Sequence, residues 1–287
     1  MVGPRTRTTL VLALVLLALN VWLNAPLFQN GAQPYRGSIE SGYAGIARFF
    51  AEHPNPYGWN PLIYCGVSTQ HTYLPGLPYA TALLLWLQSG MEALHAYRIV
   101  TALFACLGPV TLFLFAAYAS GSRWWAFAAA LGYSFCSPAY DLFQAIDNDR
   151  GLLPVPWRLH VMVKYGEGPH NMGLTLLPLA LLGVWAAAKS TGFRRLFLAA
   201  CGLAAVALTH WIAALALAFC CLLLFAVHAG TAADFRHRRV VLAGLLAYAL
   251  ACFWLTPTFV RTVGFNWPQD SFGFKMQQQQ HIALTLI

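Results

Sequence analysis

The chain has 287 residues, of which 59% are hydrophobic and only 9% are charged. A soluble domain is closer to half apolar and a quarter charged, so this composition excludes an ordinary soluble globular protein. The formal net charge is +8, but no basic patch with interleaved aromatic residues occurs, and we expect no nucleic-acid partner.

The first apolar segment predicts a membrane span that is not removed by processing. It covers 9–28 and follows Arg5 and Arg7, an arrangement that also begins a signal peptide. No small-x-small cleavage site follows the segment, so we interpret it as an uncleaved first span. Further apolar runs cover 76–91, 97–120, 124–140, 172–188, 196–229 and 240–259.

Two of these runs have unusual lengths. The run at 196–229 would form a helix of about 51 Å, which is too long for one crossing of a ~30 Å hydrocarbon core. We therefore expect two short antiparallel helices with a turn at His210. The run at 76–91 is short and opens with Pro75-Gly-Leu-Pro78, so it is either a span or a re-entrant, interfacial helix.

Positive charges decide between these alternatives, because cytoplasmic loops of membrane proteins are enriched in lysine and arginine. If 76–91 does not cross and 196–229 crosses twice, nine basic residues share one side with a single acid, Asp234. The sequence then predicts an all-α, polytopic helical bundle with a cytoplasmic N-terminus and seven complete spans, forming one transmembrane domain over 1–287. The nine basic residues are Arg5, Arg7, Arg123, Lys189, Arg194, Arg195, Arg236, Arg238 and Arg239.

This topology places long loops on the non-cytoplasmic side, at 29–95, 141–171 and 260–280. Loops on a rigid scaffold commonly carry function, so we expect the functional site there. The last apolar run, 281–287, is too short to cross a membrane. We expect it to be the truncated last span of a longer protein.

The first outer loop contains a predicted amphipathic helix that would lie on the membrane surface. Glu40 stands at its start, where an acid either complements the helix dipole or carries chemistry. Further along, Trp59 belongs to a segment rich in proline, glycine and aromatic residues, which is typical of headgroup depth. The apolar face of the helix consists of Ile39, Tyr43, Ile46 and Phe50.

The second outer loop concentrates charged residues. Asp147, Asp149 and Glu167, with His170 nearby, could bind a divalent cation through mainly oxygen ligands. Simple solvation of a polar loop is the alternative. Cationic residues could instead hold a phosphate. These are Arg98, Arg150, Arg158 and Lys164.

His210 is a candidate pocket residue because of its place between two short helices near the outer face. Polar residues at membrane depth are frequently functional. The alternative is a structural histidine that is held by a neighbouring carbonyl. We group His170 and Trp59 with His210 as predicted pocket residues.

The order of several short motifs resembles a known family. The motifs are Glu40 in an outer-loop helix, Trp59-Asn-Pro61 with Gly66, Pro75-Gly-Leu-Pro78, Arg98 at the head of a span, Leu131-Gly-Tyr-Ser-Phe-Cys-Ser137-Pro138, Gly166-Glu-Gly-Pro169-His170 and Leu208-Thr-His210. Their order resembles that of the GT-C membrane glycosyltransferases, which include protein O-mannosyltransferases and aminoarabinose transferases. It is especially similar to bacterial membrane proteins labelled 6-pyruvoyl-tetrahydropterin synthase-related, a label that implies no pterin chemistry here. The resemblance covers about 9–285, the N-terminal half of a typical family member.

The resemblance implies transfer of a sugar from a polyprenyl-phosphate donor to an acceptor outside the cytoplasm. The chain would be a multi-pass protein of the bacterial cytoplasmic membrane, in contact with membrane lipid. Glu40 would be the first-loop acid that acts as general base or contacts a divalent cation, although the family usually has aspartate there. Candidate contacts to the donor phosphate are Arg98, Arg150 and Lys164, and candidate second-loop acids are Asp147 and Asp149.

A non-enzymatic membrane scaffold or a transporter-like protein is the rival interpretation. A transporter favours helices that are broken near mid-membrane and paired internal repeats, and neither is evident in the sequence. Long loops on one side that carry acids favour an enzyme.

Overall fold

The computed structural model describes residues 4–31, 38–63, 65–71, 73–150, 155–228 and 235–265. These residues form an almost entirely helical structure, which confirms the predicted all-α class. The only strands among them are Trp59–Asn60 (β1) and Val67–Ser68 (β2). These two strands pair antiparallel in a small hairpin, with Trp59 opposite Ser68.

Thirteen helices follow one another in the described part of the chain. Short 3-10 turns at Ala25–Phe28 and Thr69–His71 and a π turn at Val161–Tyr165 join some of them. The helices are Pro4–Leu23 (α1), Glu40–Glu52 (α2), Gly76–Leu87 (α3), Ala93–Ser120 (α4), Arg123–Phe135 (α5), Ala139–Leu142 (α6), Gln144–Arg150 (α7), Trp157–His160 (α8), Gly168–Ala188 (α9), Phe193–Ala207 (α10), Trp211–His228 (α11), His237–Ala251 (α12) and Pro257–Phe265 (α13).

Four of the described helices, α1, α4, α9 and α11, are long and apolar enough to cross a membrane. They indicate a membrane protein, as predicted. In contrast, α5, α10 and α12 have 13, 15 and 15 residues. At 1.5 Å per residue they reach about 20–23 Å, which is less than the ~30 Å hydrocarbon core. The predicted count of seven complete spans is therefore not supported.

The helix ends explain the difference from the predicted spans. Helix α5 ends at Phe135, shortly before Pro138, whose ring disfavours helical backbone in the residue before it. Helix α12 ends at Ala251, and the next helix begins only at Pro257. The sequence is apolar through both ends, so hydropathy alone overestimates the helix lengths. The predicted truncated span at 281–287 lies outside the described residues.

The long apolar run at 196–229 is divided between two helices, as predicted. Helix α10 ends at Ala207, α11 begins at Trp211, and His210 lies in the turn between them. Leu215 and Leu222 of α11 are 73% and 67% exposed. An exposed apolar surface of this kind marks a membrane or protein contact, and on α11 we interpret it as a lipid-facing surface.

Helix α9 is the centre of the bundle and packs against α4, α10, α11 and α12. Small residues let α9 and α10 approach closely. A Cβ added to Gly183 would lie 3.2 Å from Ala199 Cα, and one added to Gly202 would lie 3.1 Å from Ala180 Cα. Small residues at helix contacts are a common means of tight packing in membrane bundles.

The basic turn after α9 and the basic start of α12 meet at one end of the bundle, and Arg239 joins them. Its guanidinium donates hydrogen bonds of 2.9, 3.1 and 2.7 Å to the carbonyl oxygens of Ala187, Thr191 and Gly192. A cationic side chain at the C-terminal end of a helix satisfies carbonyls that have no partner within the helix. The two basic segments therefore share one end of the bundle, as the charge pattern predicts.

Helix α2 confirms the predicted helix after the first span, but its apolar face packs against other helices and was wrongly expected to lie on the membrane surface. Tyr43, Ile46 and Phe50 are buried against neighbouring elements, whereas Ile39, the residue before the helix, is 43% exposed. The predicted apolar face is therefore present from Tyr43 onward. It packs against α3 and α4.

Helix α3, which the sequence places at 76–91, has 12 residues. Its length of about 18 Å is too short to cross a bilayer. It begins against the end of α10, where Gly76 N donates a 2.8 Å hydrogen bond to Leu208 O. Because α10 runs from the basic turn toward Leu208, α3 begins at the bundle end opposite the basic turns.

Candidate functional site

A cavity of about 340 Å³, here called the outer pocket, lies at the bundle end opposite the basic turns. Its walls come from α2, the segment before α3, the start of α9, the turn between α10 and α11, and the segment after α12. Glu167 and His210 are its acid and its imidazole, and five of the other ten lining residues are aromatic. The lining residues are Tyr43, Gln70, Tyr73, Leu74, Glu167, Pro169, Thr209, His210, Trp211, Ile212, Trp254 and Phe259.

The backbone on both sides of Glu167 is fixed by a buried tyrosine of α4. Tyr97 Oη donates a 2.7 Å hydrogen bond to Gly166 O and accepts one of 3.2 Å from Gly168 N. Gly166 has a φ of 78°, a left-handed conformation that glycine adopts at little cost. The turn that starts α9 thereby holds Glu167 at the edge of the outer pocket.

The Glu167 carboxyl group is half-buried and has no ion-pair partner among the described residues. Burial raises its pKa above the ordinary value of 4.5, because removal from water disfavours the charged form. A carboxylate with a raised pKa is a stronger base than one in water. The Glu167 carboxylate is therefore suited to accept a proton from a ligand in this pocket.

His210 contributes a neutral imidazole to the outer pocket. Burial and the nearby His170 lower the pKa of His210 to about 4. The ring centroids of the two histidines are 4.9 Å apart. Ala213 N donates to His210 Nδ1 at 3.3 Å, so Nδ1 is the acceptor and the proton of the neutral ring is on Nε2. His210 can therefore donate one hydrogen bond to a ligand.

Aromatic rings form the walls around these polar groups. Trp211 and Phe259 stack at 5.9 Å, and Tyr43 meets Tyr73 edge to face at 5.3 Å. Trp254 is almost fully buried behind them. A cavity that is lined mainly by apolar and aromatic side chains, with a few polar groups, is typical of small-molecule sites.

Glu40, the predicted catalytic acid, lies in a different environment. Its Oε1 accepts a 2.6 Å hydrogen bond from Arg98 Nε, and both side chains are about nine-tenths buried. The cavity beside the pair measures only about 20 Å³ and is bordered by Met162 of the second outer loop. The structure thus brings Glu40 together with Arg98, a predicted phosphate contact, and the pair is largely closed to ligands.

The predicted second-loop acids also have cationic partners. Asp149 accepts hydrogen bonds from Lys164 Nζ at 2.5 Å and from Tyr165 Oη at 2.8 Å. The hydrogen bond from Lys164 is the main reason why the pKa of Asp149 is lowered. Asp147 pairs with Arg150 at 3.2 Å, on an exposed surface.

These contacts separate the residues that were predicted to bind a metal ion. Asp147 and Asp149 each belong to a separate ion pair, whereas Glu167 lines the outer pocket. In the part of the chain that the structure describes, no three His, Cys, Asp or Glu side chains are grouped so that they could hold a metal ion. The predicted divalent-cation site is therefore not supported there.

Of the three predicted pocket residues, two come together. His210 lines the outer pocket with His170 beside it, whereas Trp59 lies in the β1–β2 hairpin, 62% exposed and packed on Gly66. Trp211 and Trp254 also line the outer pocket but were not predicted from the sequence. Each is an aromatic residue near the end of a helix, and such residues are too common in membrane proteins to identify a site.

Comparison with known proteins gives no match to a protein-family model and no match to a curated protein. The resemblance to GT-C glycosyltransferases therefore stays a prediction.

Proposed function

We propose that this protein is a membrane transferase that moves a sugar from a polyprenyl-phosphate donor to an acceptor, with the outer pocket as its active site. The observation that carries the proposal is the position of Glu167, an acid without an ion-pair partner among the described residues, in the same cavity of about 340 Å³ as neutral His210 and five aromatic side chains. The long loops that carry acids are predicted to lie on one side of the membrane, which supports the same assignment.

The reaction would need one base and one hydrogen-bond donor. Glu167 takes the proton of an acceptor hydroxyl while the oxygen attacks the anomeric carbon of the sugar. The bond from that carbon to the phosphate oxygen breaks, and polyprenyl phosphate leaves with the bonding electrons. The Nε2–H group of His210 donates a hydrogen bond to the departing phosphate oxygen.

The role of Glu40 as general base remains a prediction, and we place it second to Glu167. The Glu40 carboxylate is held by Arg98 beside a cavity of only about 20 Å³. A base must reach the proton that it abstracts. In the proposal, the Glu40–Arg98 pair positions the start of α2, which carries Tyr43 into the outer pocket.

The experiment that tests the proposal measures release of polyprenyl phosphate from a panel of polyprenyl-phosphate sugars by the whole protein in nanodiscs. This readout does not require the acceptor to be known beforehand, because membrane extracts can supply it. We expect Glu167→Gln to reduce release ~100-fold or more, the scale of a lost general base.

Glu92→Gln is the matched control, because Glu92 is an exposed acid on the same outer side. It should release polyprenyl phosphate at the wild-type rate. No release by the wild-type protein from any donor would favour the scaffold or transporter interpretation. Full activity of Glu167→Gln would remove Glu167 from the mechanism.

The proposed membrane setting is the bacterial cytoplasmic membrane, with the N-terminus and the basic turns in the cytoplasm. The four long helices α1, α4, α9 and α11 would cross the membrane, and the shorter helices α5, α10 and α12 would return the chain from one end of the bundle to the other. Cysteine labelling from outside the cell, in a background without native cysteines, tests this path. We expect Leu62→Cys to be labelled and Gly192→Cys to be protected, and the opposite pattern would invert the topology.

A further inference from the structure

The bundle end opposite the outer pocket carries five exposed cations that form no ion pair with any described acid. They belong to the turn after α9, the first turn of α10 and the start of α12. Every ion pair among the described residues lies between residues 40 and 164. Asp234, the acid nearest to these cations in sequence, lies outside the described residues. The five cations, here called the basic surface, are Lys189, Arg194, Arg195, Arg236 and Arg238.

The basic surface is assembled by folding from two distant segments. Arg236 N donates a 3.0 Å hydrogen bond to Ala188 O. The guanidinium of Arg239 bonds the carbonyl oxygens of Thr191 and Gly192, directly before the start of α10. The cations on both sides of these contacts are therefore held near one another.

This assembly brings like charges together, and such charges repel one another. Orientation in the membrane requires only that the cations lie on one side. It does not require two segments to be joined in the folded protein. An anion that bridges the segments would offset the repulsion, so the arrangement favours an anionic ligand.

Exposed aromatic side chains of α10 lie beside the cations. Phe193, which directly precedes Arg194, is 70% exposed and stacks on Phe197 at 6.1 Å. A soluble anion makes no use of an exposed phenyl ring, whereas a lipid has acyl chains next to its phosphate. The pairing of cation and aromatic residue thus favours a lipid.

Tryptophans indicate the depth of this bundle end in the membrane. Lys189 Nζ lies 5.2 Å above the ring of Trp185, which meets Tyr118 at 5.9 Å. The ends of α9 and α4 are therefore level, and α5 begins just beyond with exposed Trp124 and Trp125. Tryptophan is enriched at the depth of lipid headgroups, so the basic surface lies where phospholipid phosphates are found.

We propose that the basic surface binds the phosphate groups of anionic phospholipids in the leaflet at this end of the bundle. The cations of both segments attract the headgroups, and Phe193 contacts the acyl chains. Clusters of basic residues beside membrane spans attract anionic lipids in this way. The inference does not rest on the transferase function, because it needs no reaction in the outer pocket.

The test uses the whole protein in a neutral maltoside detergent. The probes are phosphatidylglycerol, which is anionic, and phosphatidylcholine with the same acyl chains, which has no net charge. Native mass spectrometry measures the affinity for each lipid, and a thermal melt measures the shift of the midpoint. We expect phosphatidylglycerol to bind more tightly and to raise the wild-type midpoint more. Raising the salt from ~0.05 to ~0.5 M should remove most of the difference, because salt screens exposed charges.

Two double variants each remove the arginines of one segment. Arg194→Gln/Arg195→Gln and Arg236→Gln/Arg238→Gln should each bind phosphatidylglycerol ~30-fold more weakly, from about fivefold per arginine near anionic lipid. Their affinity for phosphatidylcholine should not change. Arg194→Lys/Arg195→Lys keeps both charges and should keep most of the binding.

Arg48→Gln/Arg261→Gln is the control with the same loss of charge. Both arginines are exposed and belong to helices of the outer end, Arg48 to α2 and Arg261 to α13. This variant should bind phosphatidylglycerol as the wild type does. Its behaviour separates a local surface from an effect of the net charge.

Four results would overturn the proposal. They are equal affinity of the wild-type protein for both lipids, unchanged affinity of both glutamine double variants for phosphatidylglycerol, and an equal loss in the outer control. The fourth is displacement of phosphatidylglycerol by an equal concentration of inorganic phosphate, which would identify a site for a soluble anion. If neither glutamine double variant folds, Arg238→Gln replaces them, and unchanged affinity of that variant overturns the proposal.

Discussion

Two glutamates at the outer end of the bundle begin helices in similar ways but have opposite surroundings. Glu40 starts α2, is paired with Arg98 at 2.6 Å and borders a cavity of about 20 Å³. Glu167 precedes α9, has no ion pair with a described cation and borders a cavity of about 340 Å³. The paired carboxylate of Glu40 connects α2 to α4 in a closed space. The unpaired carboxylate of Glu167 borders a large cavity, where its oxygens are free to bind a ligand. Surroundings, rather than residue type, distinguish the two roles.

The two regions are connected through the turn that precedes Glu167. Ile39 N donates a 2.9 Å hydrogen bond to Tyr165 O, so the start of α2 is bound to the end of the π turn. Tyr43 stacks on Tyr97 at 6.1 Å, and Tyr97 holds the backbone on both sides of Glu167. A change at the Glu40 region should therefore affect the outer pocket through this contact.

The largest effect on stability is expected when the Glu40–Arg98 pair is broken on one side. Arg98→Met leaves a buried carboxylate without its cation, which costs about 3–5 kcal/mol. The double variant Glu40→Gln/Arg98→Met removes both charges and should recover most of that loss. Denaturant unfolding in detergent measures both. If the double variant is no more stable than Arg98→Met, charge pairing is not what the two residues contribute.

Activity of the Glu40→Gln protein completes this comparison. We expect the loss of transfer to follow the loss of folded protein, whereas Glu167→Gln should fail while folded. A ~100-fold lower rate of Glu40→Gln at an unchanged thermal midpoint would return the role of general base to Glu40.

A somewhat smaller effect is expected at Gly166, which connects the two regions. A Cβ there would lie 2.5 Å from Glu40 N, in a backbone with a φ of 78°. Gly166→Ala should cost about 2–4 kcal/mol, the conformational cost plus overpacking. Gly90 also has a positive φ, of 91°, but open space around it, so Gly90→Ala should cost only about 1–2 kcal/mol. Equal losses of unfolding free energy would show that the close contact with α2 contributes little.

Local features of the structure could be predicted from the sequence because they depend on neighbours along the chain. Helical spacing predicts the buried face of α2 from Tyr43 onward, and excess length predicts the break at His210. The shared end of the two basic segments follows from charge alone. The number of long spans could not be predicted in this way, because apolar sequence continues through the helix ends at Phe135 and Ala251.

The candidate site could be predicted only in part, because it is assembled from distant segments. Glu167 and His210 were both named from the sequence, but as members of different groups. The outer pocket extends from Tyr43 to Phe259, and Glu40 meets a partner 58 residues away. Whether an acid is paired or free depends on such contacts, which no spacing rule contains.

The smallest effect concerns the charge of Glu167, and its sign follows from the pKa shift. Burial raises the folded-state pKa above 4.5, so the folded protein binds more protons than the unfolded chain between 4.5 and the raised pKa. The free energy of unfolding therefore falls as pH rises through that window. At neutral pH the charged carboxylate is the less favourable form in the pocket, and Glu167→Gln should be more stable than wild type. Below pH 4.5 the wild-type group is protonated in both states, and the advantage should disappear. Protonation of His210 destabilises both proteins alike, so it cancels in the difference between their melts. An advantage of Glu167→Gln that grows on acidification would mean that a cation stabilises the Glu167 carboxylate in the folded protein.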